Sequence, residues 1–457
     1  MPAADSGAVG DERRKKRIIL LLDGTWNDSA VGDNDTNIVR LEDLIVRTLR
    51  ESGSQVTAAT AGKLTHGYVT DGQENIVLYQ PGVGTGAFDR FKGGMLGIGL
   101  HDNIRRAYKF VSYHYEPGCD LYIFGFSRGA YTARSLVGYI GASGLLTRAN
   151  CSQENEALAW SNYRTPPADR IPATSVQLDG LAHDRREVRV KCLGVFDTVG
   201  ALGVPFGWWF SKLNREKYGF HDVELSSITE VNLQAMAVDE HRKPFSAAVW
   251  RSPRFKKMKG RIEQVWFPGA HADIGGGYVS AERRRRDPTL TSLDDITLDW
   301  MLKRLAVLCP DFPIDRAKAR WRAADASFSK LDHHDERKLF YKLFRFAWRA
   351  LANRPIPNPG WRQMAVSYDR RDTTIGEAIH ISLLERLNQE IAVDGRKRIY
   401  APRNLLEIIE IVRQTYTSRN LESPIRIVDW SGDILDPDIP ADAEKALAAI
   451  ESAVPID

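Results

Sequence analysis

Residues 121–136 read LYIFGFSRGAYTARSL, and this stretch decides the fold. An apolar run, a Gly-x-Ser-x-Gly pentapeptide at residues 125–129 and a helix-forming segment follow one another directly. That order is the sequence form of a nucleophile elbow, in which a serine stands on a sharp turn between a strand and a helix. Glycines two residues before and two residues after the serine let neighbouring backbones approach closely. We therefore predict that Ser127 is a catalytic serine; the alternative interpretation is a structural turn.

Strands and helices alternate on both sides of this stretch. Ile18–Leu22 is apolar at every position, as expected for a parallel strand covered on both faces. The segment 51–72 is rich in glycine, serine and threonine, which is typical of a flexible insertion. Alternation of strands with helices predicts an α/β fold with an α/β-hydrolase-like, mostly parallel sheet flanked by helices. Apolar runs predict strands at residues 18–22, 76–79, 121–124, 188–196 and 262–267.

The composition divides the chain into three parts. Residues 1–16 are polar and basic, and we expect a disordered tail there. Residues 17–290 contain the predicted strands and form the predicted catalytic domain. Beyond residue 290, helical segments are separated by stretches with proline and tryptophan, so we predict a helical cap or C-terminal subdomain over residues 291–457.

Overall composition excludes several classes of protein. With 43% hydrophobic and 27% charged residues, the 457-residue chain is globular, and its net charge of +4 gives no reason to expect a nucleic-acid partner. The four cysteines lack metal-ligand spacing and fit a reduced compartment. Neither an apolar run of about 18 residues nor the apolar core of a signal peptide is present, so we expect a cytoplasmic protein. The basic run Arg13–Arg17 is either a nuclear address or part of a solvated tail.

Two further residues complete a candidate catalytic triad. Asp197 follows the strand predicted at 188–196, and His271 lies in a glycine-rich loop after the strand at 262–267. The chain order serine, acid, histidine is the order of α/β-hydrolases. Histidine would act as the base that activates Ser127, and the aspartate would hold its tautomer. The alternatives are a turn or cap for Asp197 and a loop histidine for His271, and Asp273 is the second candidate for the acid.

A serine hydrolase also needs donors for the oxyanion of its tetrahedral intermediate. One is expected from the backbone N–H of Arg128, the residue after the serine. The second is expected from the loop after the first strand, where Gly24 and Thr25 are our candidates; the alternative is that these residues form a plain strand-to-loop turn. Asp23 in the same loop is either a functional acid or a residue that fixes the loop by accepting backbone hydrogen bonds.

Five segments occur in a fixed order along the chain: LDGTWN at 22–27, YQPGVGT at 79–85, GFSRGAYTAR at 125–134, FDTVG at 196–200 and FPGAHADIGGG at 267–277. Together they resemble an α/β-hydrolase domain that is similar to the catalytic domain of type VI secretion phospholipase effectors. The resemblance covers about residues 17–280. It implies the triad Ser127, Asp197 and His271 and the hydrolysis of lipid esters, of phospholipase A type in the bacterial effectors.

The leading functional hypothesis is therefore a serine hydrolase of carboxylic esters, with a lipid or another ester as substrate, an acyl-enzyme on Ser127 and no cofactor. A metal-dependent hydrolase using Asp23, His271 and Asp273 is one alternative, since carboxylates and imidazole suit a divalent ion. A non-catalytic binding module on the same fold is another. The basic, aromatic segment 338–351 predicts either a peripheral membrane contact or a helix packed onto the core. The arginine run 283–286 is either a site for an anionic head group or a solvated loop.

Overall fold

The molecule is built around one large sheet. The structure is a computed structural model that describes residues 15–24, 34–60, 67–72, 74–82, 96–199, 227–242, 247–250, 260–334, 362, 364, 375–419 and 425–453. Its strands are β1 (Arg17–Leu22), β2 (Asn34–Thr36), β3 (Thr57–Thr60), β4 (Gly67–Thr70), β5 (Asn75–Gln80), β6 (Asp120–Phe126), β7 (Val190–Phe196), β8 (Thr229–Ala237), β9 (Arg261–Phe267), β10 (Gly276–Ser280), β11 (Glu377–His380), β12 (Glu390–Val393), β13 (Arg396–Ile399) and β14 (Ile425–Val428).

Ten of these strands form the central sheet, in the order β14-β11-β9-β8-β7-β6-β1-β5-β4-β3. Every neighbouring pair from β14 to β5 is parallel, and β4 and β3 add an antiparallel edge. Two small antiparallel pairs, β2 with β10 and β12 with β13, lie outside it. The mostly parallel sheet confirms the predicted α/β fold.

Helices cover both faces of the sheet, which explains why its central strands are apolar throughout. On β1, Ile19 and Leu21 face a core shared with α1 (Asn37–Glu51) and α8 (Leu293–Leu308). Ile18 and Leu20 face a core shared with α2 (Leu96–His114) and α3 (Arg128–Ser143). Successive strand residues point to opposite faces, so a strand between two helical layers needs an apolar residue at every position. The helices are α1 (Asn37–Glu51), α2 (Leu96–His114), α3 (Arg128–Ser143), α4 (Gln153–Arg164), α5 (Pro172–Leu181), α6 (His271–Gly275), α7 (Ala281–Arg286), α8 (Leu293–Leu308), α9 (Ile381–Arg386), α10 (Arg403–Thr417) and α11 (Pro440–Ala453).

The structure of two regions differs from the structure that the sequence predicts for them. The segment 51–72 contains β3 and β4, which pair with each other and extend the sheet beyond β5, so its described part is not a flexible insertion. The region after residue 290 contains helices, as predicted, but it also supplies β11 and β14 to the central sheet. These strands have only four residues each, too few to show a clear period in the sequence. The domain boundary at residue 290 stays a prediction.

No helix within the described ranges is both long and apolar enough to cross a membrane.

Candidate active site

Ser127 stands on a strained turn between β6 and α3. Its φ of 57° lies in the left-handed region, which costs a residue with a side chain about 1–3 kcal/mol. The strand β6 ends at Phe126 and α3 begins at Arg128, so the turn between them consists of the serine itself. The Ser127 N–H donates to the Phe196 carbonyl at the end of the neighbouring strand β7 (3.1 Å), which holds the turn in place. The chain therefore passes from strand to helix through a single strained residue, Ser127.

The two glycines of the pentapeptide are required by close backbone contacts. A Cβ atom on Gly129 would lie 2.0 Å from the Leu22 carbonyl oxygen and 2.5 Å from that of Asp23. One on Gly125 would lie 2.5 Å from the Gly129 carbonyl oxygen. Because Gly129 has no side chain, the end of β1 packs directly against the start of α3, and because Gly125 has none, the end of β6 lies against the same helical turn.

Replacing Gly129 by alanine is expected to lower the free energy of unfolding by about 3 kcal/mol, because backbone atoms must move to admit the methyl group. Denaturant unfolding of the purified variant measures this change. Gly180→Ala is the matched control, since a Cβ atom at Gly180 in α5 meets nothing within 4 Å. The control is expected to change stability by no more than about 1 kcal/mol, in the stabilising direction. Equal stability of the two variants would contradict the close packing at Gly129.

The three residues predicted as a triad come together. His271 Nε2 lies 2.8 Å from Ser127 Oγ, and His271 Nδ1 lies 2.6 Å from Asp197 Oδ2. These distances fit a tautomer in which Nδ1–H donates to the carboxylate and Nε2 accepts from the serine hydroxyl. All three side chains are at the carboxyl ends of parallel strands, since Ser127 follows β6, Asp197 follows β7 and His271 opens the short helix α6 after β9.

The carboxylate of Asp197 is fully buried and is held from several sides. Its Oδ1 accepts from the Ala237 N–H at the end of β8 (3.0 Å) and from Arg362 Nη1 (2.5 Å). Its Oδ2 accepts from Arg362 Nη2 (2.9 Å) as well as from His271. Burial alone would raise the pKa of Asp197, but the Arg362 guanidinium and the bond and charge of His271 outweigh it and hold that pKa well below its ordinary value.

Arg362 also belongs to this site, although the sequence does not predict it. Its guanidinium binds both oxygens of Asp197 and also donates to the Ala237 carbonyl (3.0 Å). No motif surrounds Arg362 in the sequence, and it lies 165 positions after Asp197. Only the three-dimensional fold connects these two residues.

Asp273 has a different position from the one that a triad acid requires. Its Oδ2 accepts from the Ala270 N–H (2.9 Å), which caps the N-terminus of α6, and from the His334 N–H (3.1 Å). Its Oδ1 lies 2.7 Å from His334 Nδ1. The acid bound to the His271 ring is therefore Asp197, and Asp273 secures the helix that begins with the histidine.

Asp23 fixes the loop after β1. Its Oδ2 accepts from the hydroxyls of Thr36 and Tyr79 (2.8 Å each), and its Oδ1 accepts from the Gly24 N–H (2.6 Å). The Gly24 N–H is therefore directed to Asp23 and would have to leave that bond to bind an oxyanion. Arg128 is the first residue of α3, where a backbone N–H has no acceptor within the helix.

The family of the chain follows from a comparison with known families. A model of the family described as "T6SS, Phospholipase effector Tle1-like, catalytic domain" matches residues 16–304, which is more than half of the chain. The chain belongs to this family. The matched residues of this Tle1-like domain contain Ser127, Asp197 and His271, whereas Arg362 lies outside them.

Individual proteins similar to this Tle1-like chain include one curated relative and several solved structures. The "Uncharacterized protein YEL023C" of Saccharomyces cerevisiae is 29% identical over 252 residues, which is 50% of this chain but only 32% of the yeast protein. The crystal structure of an uncharacterized protein from Pseudomonas aeruginosa has 17% identity and a TM-score of 0.40, covering 68% of this chain and 48% of that one. A butyrate-bound esterase from Thermogutta terrifontis has 14% identity and a TM-score of 0.28, and the match covers 65% of this chain and 86% of the esterase.

The residues of the metal alternative do not converge in this Tle1-like domain. Asp23, His271 and Asp273 each bond to different partners, as described above. Across the described residues, no group of three or more His, Cys, Asp or Glu side chains is arranged to hold a metal ion.

One arginine of the 283–286 run belongs to an internal network. Arg284 binds Asp35 through Nε (3.0 Å), Asp294 through Nη2 (2.9 Å) and Asp295 through Nη1 (3.1 Å). Its side chain therefore connects α7 to the start of α8, and its guanidinium is already bound to carboxylates of the protein. Thr25, the predicted helix at 338–351 and the tail of residues 1–14 lie outside the described residues.

Proposed function

We propose that the protein is a serine hydrolase of carboxylic esters that forms an acyl-enzyme on Ser127. The observation that carries this proposal is the continuous chain of hydrogen bonds from Ser127 Oγ through His271 to Asp197, with links of 2.8 and 2.6 Å. Membership in a family of phospholipase catalytic domains supports ester hydrolysis independently.

The first step of the proposed reaction uses His271 as the base. Ser127 Oγ attacks the ester carbonyl carbon while its proton passes to His271 Nε2. Asp197 holds the Nδ1–H tautomer before this transfer and stabilises the imidazolium after it. Because the carboxylate is buried and already oriented by the Ala237 N–H, it needs no reorganisation when the histidine becomes charged.

The second step releases the alcohol. Negative charge on the carbonyl oxygen is stabilised by the Arg128 N–H at the start of α3 and by a donor from the loop of Gly24 and Thr25. Imidazolium then donates its proton to the leaving alkoxide, and an acyl-Ser127 ester remains. Water activated by His271 hydrolyses this ester in the same way and restores the free serine.

For the substrate, we propose a lipid or phospholipid ester, cleaved in the manner of a phospholipase A. The support is the phospholipase description of the family. Contact with a lipid surface is part of this proposal, because the substrate lies in a membrane or micelle. We retain residues 17–290 as the proposed catalytic domain and residues 291–457 as the proposed C-terminal subdomain, and the cytoplasm as the proposed compartment.

Labelling with a fluorophosphonate probe tests the nucleophile. We expect covalent, stoichiometric labelling of the native protein, with the modified peptide containing Ser127 when it is located by mass spectrometry. Ser135→Ala is a matched control, since Ser135 is another buried serine, eight residues after Ser127 in α3, and the labelling of this variant should match that of the native protein. A label on a different serine would overturn the assignment. No label and no turnover across a panel of esters and phospholipids would favour a binding module.

A further inference from the structure

We propose that Arg362 is a positioning residue, which fixes the Asp197 carboxylate and limits how strongly that carboxylate stabilises protonated His271. The inference rests on the proposed function, since it concerns the triad of that reaction. It assigns a part in the active site to a residue beyond the segment matched by the family.

The contacts of Arg362 explain how it fixes the carboxylate. Its two Nη atoms bind the two oxygens of Asp197 as a fork, at 2.5 and 2.9 Å, and Nη1 also donates to the Ala237 carbonyl. A planar guanidinium that binds both carboxylate oxygens fixes the plane of that carboxylate, which a single hydrogen bond does not. Oδ2 therefore stays directed at His271 Nδ1, and the histidine stays directed at Ser127.

Burial makes the charge of Arg362 important as well. The Asp197 side chain has 0% exposure and that of Arg362 has 5%, so little solvent screens the pair. A buried carboxylate without a cation would strongly favour a protonated His271, because the imidazolium would be its closest opposite charge. With Arg362 in place, its guanidinium already balances part of the Asp197 charge. The carboxylate then stabilises the imidazolium less, which favours the neutral imidazole needed for the first step.

Two other charged groups near His271 have described partners of their own. Glu240 and Arg242 form a buried ion pair beyond the end of β8 (2.7 Å). Burial raises the pKa of Glu240, but the bond and charge of Arg242 and the charges of Arg362 and His271 bring it below its ordinary value. On the histidine's own helix, Asp273 pairs with His334. Removal of Arg362 would therefore leave the Asp197 carboxylate, which is in direct contact with His271, without its guanidinium partner.

The pH dependence of activity follows from this charge balance. A general base works in its neutral form, so kcat/KM falls below the pH at which His271 becomes protonated. Loss of the Arg362 charge stabilises the imidazolium, and protonation then occurs at a higher pH. Arg362→Met is expected to move the acid limb of the kcat/KM profile upward by about one pH unit. At neutral pH, kcat/KM should fall up to about 100-fold, because the triad is also less well positioned.

The test compares three variants with the native protein, using a soluble ester and normalising each rate to the serine titrated by a fluorophosphonate. Arg362→Met removes both the positive charge and the two-bond contact with the Asp197 carboxylate. Arg362→Lys keeps the positive charge but cannot make the two-bond contact. Arg304→Met is the matched control, because Arg304 pairs with buried Glu263 through two bonds of 2.8 Å and has the same 5% exposure. It is expected to lose stability while its pH profile stays at the native position.

Each outcome decides the proposal. Arg362→Lys should have a kcat roughly tenfold below the native value, because the carboxylate is less well positioned. The acid limb of its kcat/KM profile should stay at the native pH, because the positive charge is kept. If Arg362→Met gives no titratable serine, the test depends on Arg362→Lys alone. A kcat of Arg362→Lys equal to that of the native protein would then overturn the proposal. A native acid limb for folded Arg362→Met, or an equal shift for Arg304→Met, also overturns it. A native protein that neither labels nor turns over ester would instead refute the proposed function.

Discussion

Ser127→Ala is expected to abolish ester hydrolysis, with kcat reduced by about 10⁴-fold or more. The substitution removes the oxygen that attacks the carbonyl carbon in the proposed reaction, so the acyl-enzyme on residue 127 cannot form. Labelling by a fluorophosphonate should disappear together with turnover. Both quantities are measured on the purified variant, with a soluble ester for the rate and a fluorescent probe for the label.

The fold of this variant should remain intact. Ser127 makes its backbone bond to Phe196 through N–H, which alanine retains, and the left-handed φ of 57° strains alanine about as much as serine. A thermal midpoint close to the native value therefore separates loss of chemistry from loss of structure. Residual turnover of Ser127→Ala above about one per cent of native would show that another residue attacks the ester.

Asp197→Asn is expected to lower kcat by about 10⁴-fold, because it reverses the tautomer of His271. Arg362 directs one donor to each oxygen of Asp197, and the Ala237 N–H adds a second donor at Oδ1, so the amide oxygen of the new side chain is preferred at the Oδ1 position. Its NH₂ group then faces His271 Nδ1, which must accept. The proton of the neutral ring moves to Nε2, where it faces Ser127 Oγ and blocks acceptance of the serine proton.

Kinetics at several pH values measure this effect, and Asp294→Asn serves as the control. Asp294 is also buried and bound to arginine, but it lies in the network of Arg40 and Arg284. Its substitution should lower the melting temperature and leave kcat near the native value. If Asp197→Asn kept native activity, the carboxylate would have no role in orienting His271, and Asp273 would have to be reconsidered as the acid.

Much of the site could be predicted because its residues are adjacent to strong local signals. Ser127, Asp197 and His271 each come directly after a strand or within four residues of one, and each of those strands is visible as an apolar run. The carboxyl ends of parallel strands meet at one edge of a sheet, so chain order and strand ends were enough to predict the triad.

Other parts depend on contacts that leave no local signal. The strand β8 is not among the predicted strands, because its buried polar residues Asn232 and Gln234 break the apolar run. Gln234 is tolerated there because its amide donates to the Ala248 carbonyl and accepts from Arg134. Arg362 was not predicted for a related reason, since its partner Asp197 is distant in the chain and only tertiary structure brings the two together.

The extension of the central sheet by the C-terminal region has a practical consequence for making shorter versions of the protein. β9, which precedes His271, pairs on one side with β8 and on the other with β11. A chain cut at residue 304, where the family match ends, would leave that second side of β9 uncovered. An uncovered apolar edge invites pairing with another molecule, so such fragments are expected to aggregate during expression. Fragments for crystallisation should therefore extend at least through residue 428, so that β11 and β14 are both retained.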